Sequence, residues 1–145
     1  MRPVHINCRQ RQRGSVLVEF ALILPLLTFL LMGIFYFSML LREHQILQNA
    51  AREGARFSSL KQNSGSVTAV QAVVTNYLAQ ENITVSASDV SVNQSYSFSV
   101  VDPNGNTVWI DATRISVTYS RSLPLGTALF GPVDLTGQAV FPNLY

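Results

Sequence analysis

An uncharged apolar run of twenty-two residues, from Phe20 to Leu41, constrains this chain more than any other feature. At 1.5 Å per residue, a helix of that length covers roughly 33 Å, which exceeds a bilayer hydrocarbon core of about 30 Å. A secretory signal peptide also follows basic residues, but its apolar stretch is usually roughly 7–15 residues long and ends at a small-residue cleavage site. The run therefore predicts a transmembrane helix that stays attached to the rest of the chain.

The net positive charge of this chain comes from the residues before this helix. The formal net charge is +2, from ten cations and eight acids, but four arginines fall within the first thirteen residues. Without residues 1–14, six cations face eight acids, so the sequence predicts no basic groove for nucleic acid. Three arginines follow the helix closely, and this four-to-three balance, with the short leader, favours a cytoplasmic N-terminus. The four leader cations are Arg2, Arg9, Arg11 and Arg13.

Glu19 carries the one charge inside the apolar segment, which extends back through Val16, Leu17 and Val18. A charge at the bilayer centre costs on the order of 2.5–3.5 kcal/mol and less near the interface, so a membrane-embedded carboxylate calls for a partner. Alternatively, Glu19 snorkels to the headgroups beside the positive N-terminus of its helix. Its position alone leaves both interpretations open.

The residues before Glu19 resemble the processing site of type IV prepilins. In the sequence RGSVLVEF, Gly14 follows a basic leader and Glu19 comes five residues later. The resemblance implies that a prepilin peptidase cleaves between Gly14 and Ser15 and leaves the helix on the mature protein. It also implies that Glu19 engages the N-terminal amine of a neighbouring subunit during assembly. Gly14 suits a narrow protease cleft because it has no side chain, and we expect the helix to begin after it.

Two residues depart from the best-known pilins. Ser15 stands where many of those pilins have Phe, which leaves N-methylation of the mature terminus open. Pro25 lies within the first three turns and removes one helix hydrogen bond, so we expect it to bend or loosen the helix locally. It is either a functional hinge or a tolerated membrane proline.

A second motif follows the membrane segment. Strong helix formers with apolar residues spaced three and four apart predict that the helix continues to about Ser58. Gly54 and Ala55, with Ala50 and Ala51, form a small-residue face for close approach of another helix or subunit. Arg52 and Arg56 form a cationic ridge at the headgroup level, which suits anionic lipid or acidic partner subunits. The alternative is a solvated juxtamembrane turn with ordinary charges.

The combination of RGSVLVEFALILPLL with AAREGARFSS some thirty residues later resembles the TadE family, pilin-like proteins of tight-adherence (Tad/Flp) pilus systems. The resemblance covers residues 13–59. It implies a minor pilin or pseudopilin of the inner membrane whose partners are a prepilin peptidase, other pilin-like subunits and the Tad assembly machinery. The implied organisation is a leader at 1–14, a transmembrane helix at 15–41, a juxtamembrane helix at 42–58 and a periplasmic or extracellular head at 59–145.

The remaining residues predict a small α+β head. Residues 59–66 are turn-rich, and the spacing after Val67 predicts a short helix that ends near Gln80. Residues 83–85 are expected to begin a first strand. Alternation over 90–100 and 107–120, around the turn sequence at 102–106, predicts an antiparallel hairpin. The tail, rich in Gly and Pro, is expected to wrap the sheet as loops with one short strand at 135–141.

The composition disfavours an enzyme. His5 and His44 are the only histidines and Cys8 the only cysteine, so we expect no catalytic triad, metal site, cofactor or small-molecule substrate. Four head aspartates lack a calcium-loop spacing. Four aromatic residues are expected to form the packing face of the sheet, with a binding platform as the alternative: Tyr96, Phe98, Trp109 and Tyr119. The competing function is an uncleaved single-pass protein whose head binds a ligand or surface, as an adhesin or sensor does.

Overall fold

The computed structural model describes residues 9–60, 66–122 and 131–143. Contacts divide the chain into two compact units, Met1–Leu40 and Leu41–Tyr145. Helix α1, Arg9–Ser58, contributes residues to both. Three predicted features lie wholly or partly outside the described residues: the start of the leader with Cys8, the middle of the turn-rich joint and the looped part of the tail.

The first unit contains the apolar part of α1. Every residue from Gly14 to Phe35 is exposed. An 18-residue window of the helix reaches a mean hydropathy of 2.4, and none of that window is buried. A helix that is apolar on all sides is normally covered by protein or by lipid. Its length and composition are sufficient to cross a membrane, and its exposure favours a membrane anchor.

Helix α1 begins earlier than the sequence analysis predicts. It starts at Arg9, so Gly14 lies inside the helix rather than before it. The physical reason is the composition of residues 9–13, which are only Arg and Gln, both strong helix formers that one glycine does not outweigh. The predicted extension of the helix to about Ser58 is confirmed.

The helix is unbroken at Pro25, although proline donates no backbone hydrogen bond. One turn later, the Thr28 hydroxyl donates to the Leu24 carbonyl at 2.8 Å. That bond satisfies the hydroxyl within the helix, as a hydrocarbon environment requires.

The second unit combines the end of α1 with one further helix and a sheet. Helix α2 is Val67–Gln80, and the strands are β1, Val90–Val101, β2, Thr107–Arg121, and β3, Val133–Pro142. The sheet order is β1-β2-β3 with both pairs antiparallel. The α+β prediction is confirmed, as are α2 and the hairpin, and the strand in the tail is longer than expected.

The hairpin turn follows from the residues Asp102 to Asn106. The Asp102 amide donates to the Asn106 carbonyl and the Gly105 amide donates to the Asp102 carbonyl, both at 2.8 Å. Gly105 has a φ of +83°, which glycine adopts at little cost. The Asn-Gly signal in the sequence therefore marks the turn correctly.

The predicted strand at 83–85 is wrong, because these residues complete the cap of α2. The Asn82 amide donates to the Ala79 carbonyl and the Ile83 amide to the Leu78 carbonyl, with Asn82 at a φ of +59°. These are the two bonds of a Schellman cap, and the buried Ile83 supplies its usual apolar contact. A 3₁₀ turn, Ala87–Asp89, then leads into β1.

A bulge in β1 changes which residues face the helices. Asn93 pairs with Arg114, but Tyr96 pairs with Ala112, so β1 advances three residues while β2 advances two. The extra residue moves the side chains after it to the opposite face. Tyr96 consequently shares a face with Arg114, whose guanidinium carbon lies 5.5 Å from the tyrosine ring centroid.

The core of the second unit is formed by one face of α1, one face of α2 and the inner face of the sheet. On α1 the buried side chains are small apart from Leu47, and α2 contributes one stripe spaced four residues apart. The fully buried hydrophobic residues of these helices and of β2 are Leu47, Ala50, Ala51, Ala55, Val70, Val74, Leu78, Ala112, Ile115 and Val117.

Two glycines permit close approach in this core. A methyl group at Gly54 would collide with Val74 of α2 and would lie 3.0 Å from Cδ1 of Ile115. A methyl group at Gly137 of β3 would lie 2.6 Å from the Leu47 carbonyl oxygen. Gly54 is thus opposed by side chains, whereas Gly137 is opposed by the backbone of α1.

We expect Gly137→Ala to lower the free energy of unfolding by about 2–3 kcal/mol, because the opposing backbone cannot move without shifting α1 against β3. Gly54→Ala should cost less, since side chains oppose it and alanine favours a helix by about 1 kcal/mol. Denaturation of the full chain in detergent, followed by circular dichroism, measures both.

Gly33→Ala is the matched control, because nothing lies within 4 Å of the added methyl group. Equal stability of Gly137→Ala and Gly33→Ala would contradict the close approach of β3 to α1.

Candidate functional site

The predicted cleavage and pairing residues lie on one short stretch of α1 in the first unit. Gly14 is exposed, and a Cβ added to it would meet nothing within 4 Å. Ser15 and Glu19 are separated by four residues, so they lie on the same side of the helix about one turn apart. Both are exposed. The arrangement leaves the peptide after Gly14 and the Glu19 carboxylate open to other proteins.

The helical state of Gly14 adds a step to any cleavage at this point. Proteases bind extended backbone, so the helix around Gly14 must open before its peptide bond can enter a cleft. Glycine lowers the cost of that opening by about 1 kcal/mol relative to alanine. A glycine at position 14 therefore makes local opening of the helix easier, even though the helix begins before it.

The predicted cationic ridge, Arg52 and Arg56, is exposed on the second unit. Arg56 donates to Glu53 through two hydrogen bonds, of 3.1 Å from Nε and 2.7 Å from a terminal nitrogen. The bond from Arg56 lowers the pKa of Glu53, against a smaller opposing effect of burial, and the same bond raises the pKa of Arg56. In the described part of the chain Arg52 has no such ion pair, so it is the cation of the ridge that remains available.

The small residues of the same motif lie on the other side of the helix. Gly54 and Ala55 are buried in the core of the second unit, and the helix that approaches Gly54 is α2 of the same chain. Of the four residues predicted to contact a subunit, the structure thus leaves Arg52 and Arg56 on the surface and places Gly54 and Ala55 inside.

An open groove of about 510 Å³ runs along the exposed stripe of α1 that carries Arg52. Polar and charged groups of the helix line it together with an aromatic residue from α2 and two apolar residues from β3. This combination fits an apolar or aromatic group that carries a negative charge nearby. The lining residues are Asn49, Arg52, Glu53, Arg56, Tyr77, Val140 and Phe141.

The sequence does not predict one partly buried ion pair. Arg121, at the end of β2, lies 2.9 Å from the carboxylate of Glu43, whose side chain is only 12% exposed. The second oxygen of Glu43 is buried and has no hydrogen-bond partner among the described groups. The hydrogen bond that Arg121 donates to the Tyr119 hydroxyl at 3.5 Å raises the pKa of Arg121, and the Glu43 charge adds to it while burial opposes both. The only sequence signal was the charged triplet after Leu41.

The four aromatic residues divide between different surfaces. Tyr119 packs against the core, as predicted. Tyr96 and Phe98 are half-buried and line a smaller concavity with Val140. Trp109 is 69% exposed, so the prediction that it packs in the sheet is wrong.

Residues 14–56 match the model of the TadE-like protein family. This segment of the chain is a TadE-like domain. It begins at Gly14, includes Glu19 and the groove residues of α1, and ends before α2 and the sheet. Comparison with curated proteins and with solved structures gave no match.

The described residues of the TadE-like domain and of the sheet contain no group of three or more His, Cys, Asp and Glu that could hold a metal ion. Two exposed features of the described residues are candidate contact sites: Glu19 in the first unit, and the Arg52 groove in the second.

We expect Arg121→Leu to lower the free energy of unfolding by about 1–3 kcal/mol, since it leaves the Glu43 carboxylate buried without a partner. The partial exposure of Arg121 keeps this value below that of a fully buried pair. The double variant Glu43→Leu with Arg121→Leu should recover most of the loss, because no charge is then left unpaired. Denaturation in detergent measures both, and equal loss in the two variants would contradict the role of the ion pair.

Proposed function

We propose that this chain is a minor pilin or pseudopilin of a Tad (Flp) pilus system, cleaved by a prepilin peptidase between Gly14 and Ser15. The observation that carries the proposal is the TadE-like match, which begins at Gly14 and continues through Glu19 along an apolar helix. The helix anchors the protein in the inner membrane with its N-terminus in the cytoplasm, as the leader charge favours.

The proposed organisation keeps a leader at 1–14, a transmembrane segment at 15–41, a juxtamembrane helix at 42–58 and a head at 59–145. The partners are the peptidase, other pilin-like subunits and the Tad assembly machinery. The protein contributes no enzymatic step and takes part in building or priming the pilus through contacts of its helix and its head.

The chemistry of this proposal rests on two charges. Cleavage creates an ammonium group on Ser15, and Glu19 lies one helical turn away along the chain. In a region of low dielectric constant, opposite charges attract strongly, so a carboxylate that costs energy alone becomes favourable beside an amine. Pairing Glu19 with the amine of a neighbouring subunit would fix the axial register of two helices.

Co-expression with an active prepilin peptidase should remove residues 1–14, which intact-mass spectrometry of the purified protein measures directly. Gly14→Val should block the cleavage, because a β-branched side chain obstructs a cleft that accepts glycine. Gly33→Val, at a second exposed glycine of the same helix, is the matched control and should be processed normally.

An intact leader on the unaltered protein in cells with an active peptidase would remove the pilin proposal. The alternative, an uncleaved single-pass protein with a binding head, would then account for the exposed Trp109 and the groove.

Glu19→Ala should leave membrane insertion intact or improved, because it removes a charge from the apolar segment. Incorporation into an assembly with other pilin-like subunits should fall about tenfold or more, in line with the cost of an unpaired membrane charge. Co-purification from membranes measures incorporation, and Glu19→Gln separates the effect of charge from that of size. Unchanged incorporation of both variants would indicate that Glu19 only snorkels to the headgroups.

A further inference from the structure

The far end of the β1–β2 hairpin carries an exposed apolar surface. Val101 and Trp109, 68% and 69% exposed, lie on the same face of the hairpin and are the most exposed large hydrophobic residues described after Leu41, while Val108, 50% exposed, lies on the opposite face. Isolated exposed apolar residues are ordinary, but a cluster that includes a tryptophan marks contact surfaces. We call residues 97–111 the hairpin end.

The hairpin end is also acidic. It contains Asp102 and Asp111, and neither Lys nor Arg occurs between Val90 and Thr113. Trp109 pairs with Ser99 and Asp111 with Ser97, so the indole and the carboxylate project from the same face of β2. The Asp111 side chain has no hydrogen bond or ion pair within the described residues, whereas Asp102 accepts one from Asn104 at 3.3 Å.

The Arg52 groove has the complementary properties. It offers one unpaired guanidinium beside the rings of Tyr77 and Phe141, and its volume of about 510 Å³ accommodates an indole ring. Arg56 already donates two hydrogen bonds to Glu53, so Arg52 is the arginine that can pair with an incoming carboxylate. Arginine also stacks on aromatic rings, so a tryptophan followed two residues later by an aspartate suits both groups of the groove.

We propose that the hairpin end of one copy of this chain binds in the Arg52 groove of a second copy, with Asp111 paired to Arg52 and Trp109 against the groove's aromatic wall. The two surfaces are different parts of the same molecule, so each copy can hold two neighbours. Such a heterologous contact propagates into a ring or an open helical array. The inference rests on the proposed function, because it takes the copies to be held in one membrane with parallel helices.

An anionic lipid headgroup is the competing occupant of the groove. If the hydrocarbon ends at Leu41, Arg52 lies about 16 Å further along α1 at 1.5 Å per residue. The headgroup region adds only about 5–8 Å on each side of the hydrocarbon core. With that boundary Arg52 lies beyond the headgroup layer, so a protein carboxylate is the better match for it.

A charge-exchange experiment on the full chain tests the contact. Two differently tagged copies are reconstituted in lipid nanodiscs, and their association is measured by energy transfer between fluorophores on the tags. Arg52→Glu alone and Asp111→Arg alone should each weaken association about five- to tenfold, as loss of a central contact does. The double variant Arg52→Glu with Asp111→Arg, present in both tagged copies, should restore association, because the two reversed charges then face each other in every contact.

The controls separate charge from folding. Arg52→Lys and Asp111→Glu keep the charge and should retain most of the association. Thr118→Arg places a cation at another exposed position of β2 and should change nothing. Trp109→Ala should weaken association without loss of stability, since the side chain is exposed.

Two results would overturn the proposal: association that is unaffected by either single charge reversal, or loss that the double variant fails to restore. The second result, together with loss of binding to anionic vesicles, would assign Arg52 to lipid. The measurement is repeated with Glu19→Ala. In the Glu19→Ala background, reversal of both charges should still restore association of the heads. Failure of this head contact is therefore distinguishable from failure of the proposed cleavage and Glu19 pairing.

Discussion

The close approach of α1 to the rest of the second unit is the constraint on which its structure depends. From Leu47 to Ser58 the buried side of the helix carries mainly small side chains, and β3 meets it at Gly137, where even a methyl group would collide with the Leu47 backbone. A protein interior leaves little unfilled space, so the small residues of α1 let the Val74 and Ile115 side chains lie directly against the helix. The positions of α2 and of the sheet in this unit follow from that requirement.

This packing changes the meaning of the small residues in the Arg-Glu-Gly-Ala-Arg motif. A small-residue face beside a membrane segment suggests contact between subunits, since small residues let helices approach closely. Here Gly54 and Ala55 serve that function within one chain, and the surface left for partners is the opposite stripe of the helix. The motif thus has two sides: its small residues pack in the core of the second unit, and its arginines lie on the surface.

Periodicity was sufficient to predict α2, the hairpin and the end of α1, because each of these depends on residues that are close in sequence. Residues 83–85 resemble a strand in sequence because a Schellman cap uses an apolar residue after the helix, here Ile83, and β-branched residues follow it. Trp109 alternates in step with Ile115 and Val117 and so resembles a core residue in sequence, but it lies six residues nearer the hairpin turn, where its side chain is 69% exposed. Alternation also does not reveal the bulge in β1, which moves Tyr96 and Phe98 to the opposite face. The Glu43–Arg121 pair joins residues far apart in sequence, which no local pattern contains.

The two units place opposite demands on a single helix, and this difference separates the roles of its charges. From Gly14 to Phe35 the helix is apolar on every side, so a charge there is costly wherever it points, and Glu19 is tolerable only near the interface or beside a partner. From Leu47 onward only one side is buried, and charges on the other side are inexpensive. A contact through Glu19 therefore depends strongly on having the right partner, whereas a contact through Arg52 depends on the groove beside it for its specificity. Helix register and head contacts can then be set by separate interactions along one element.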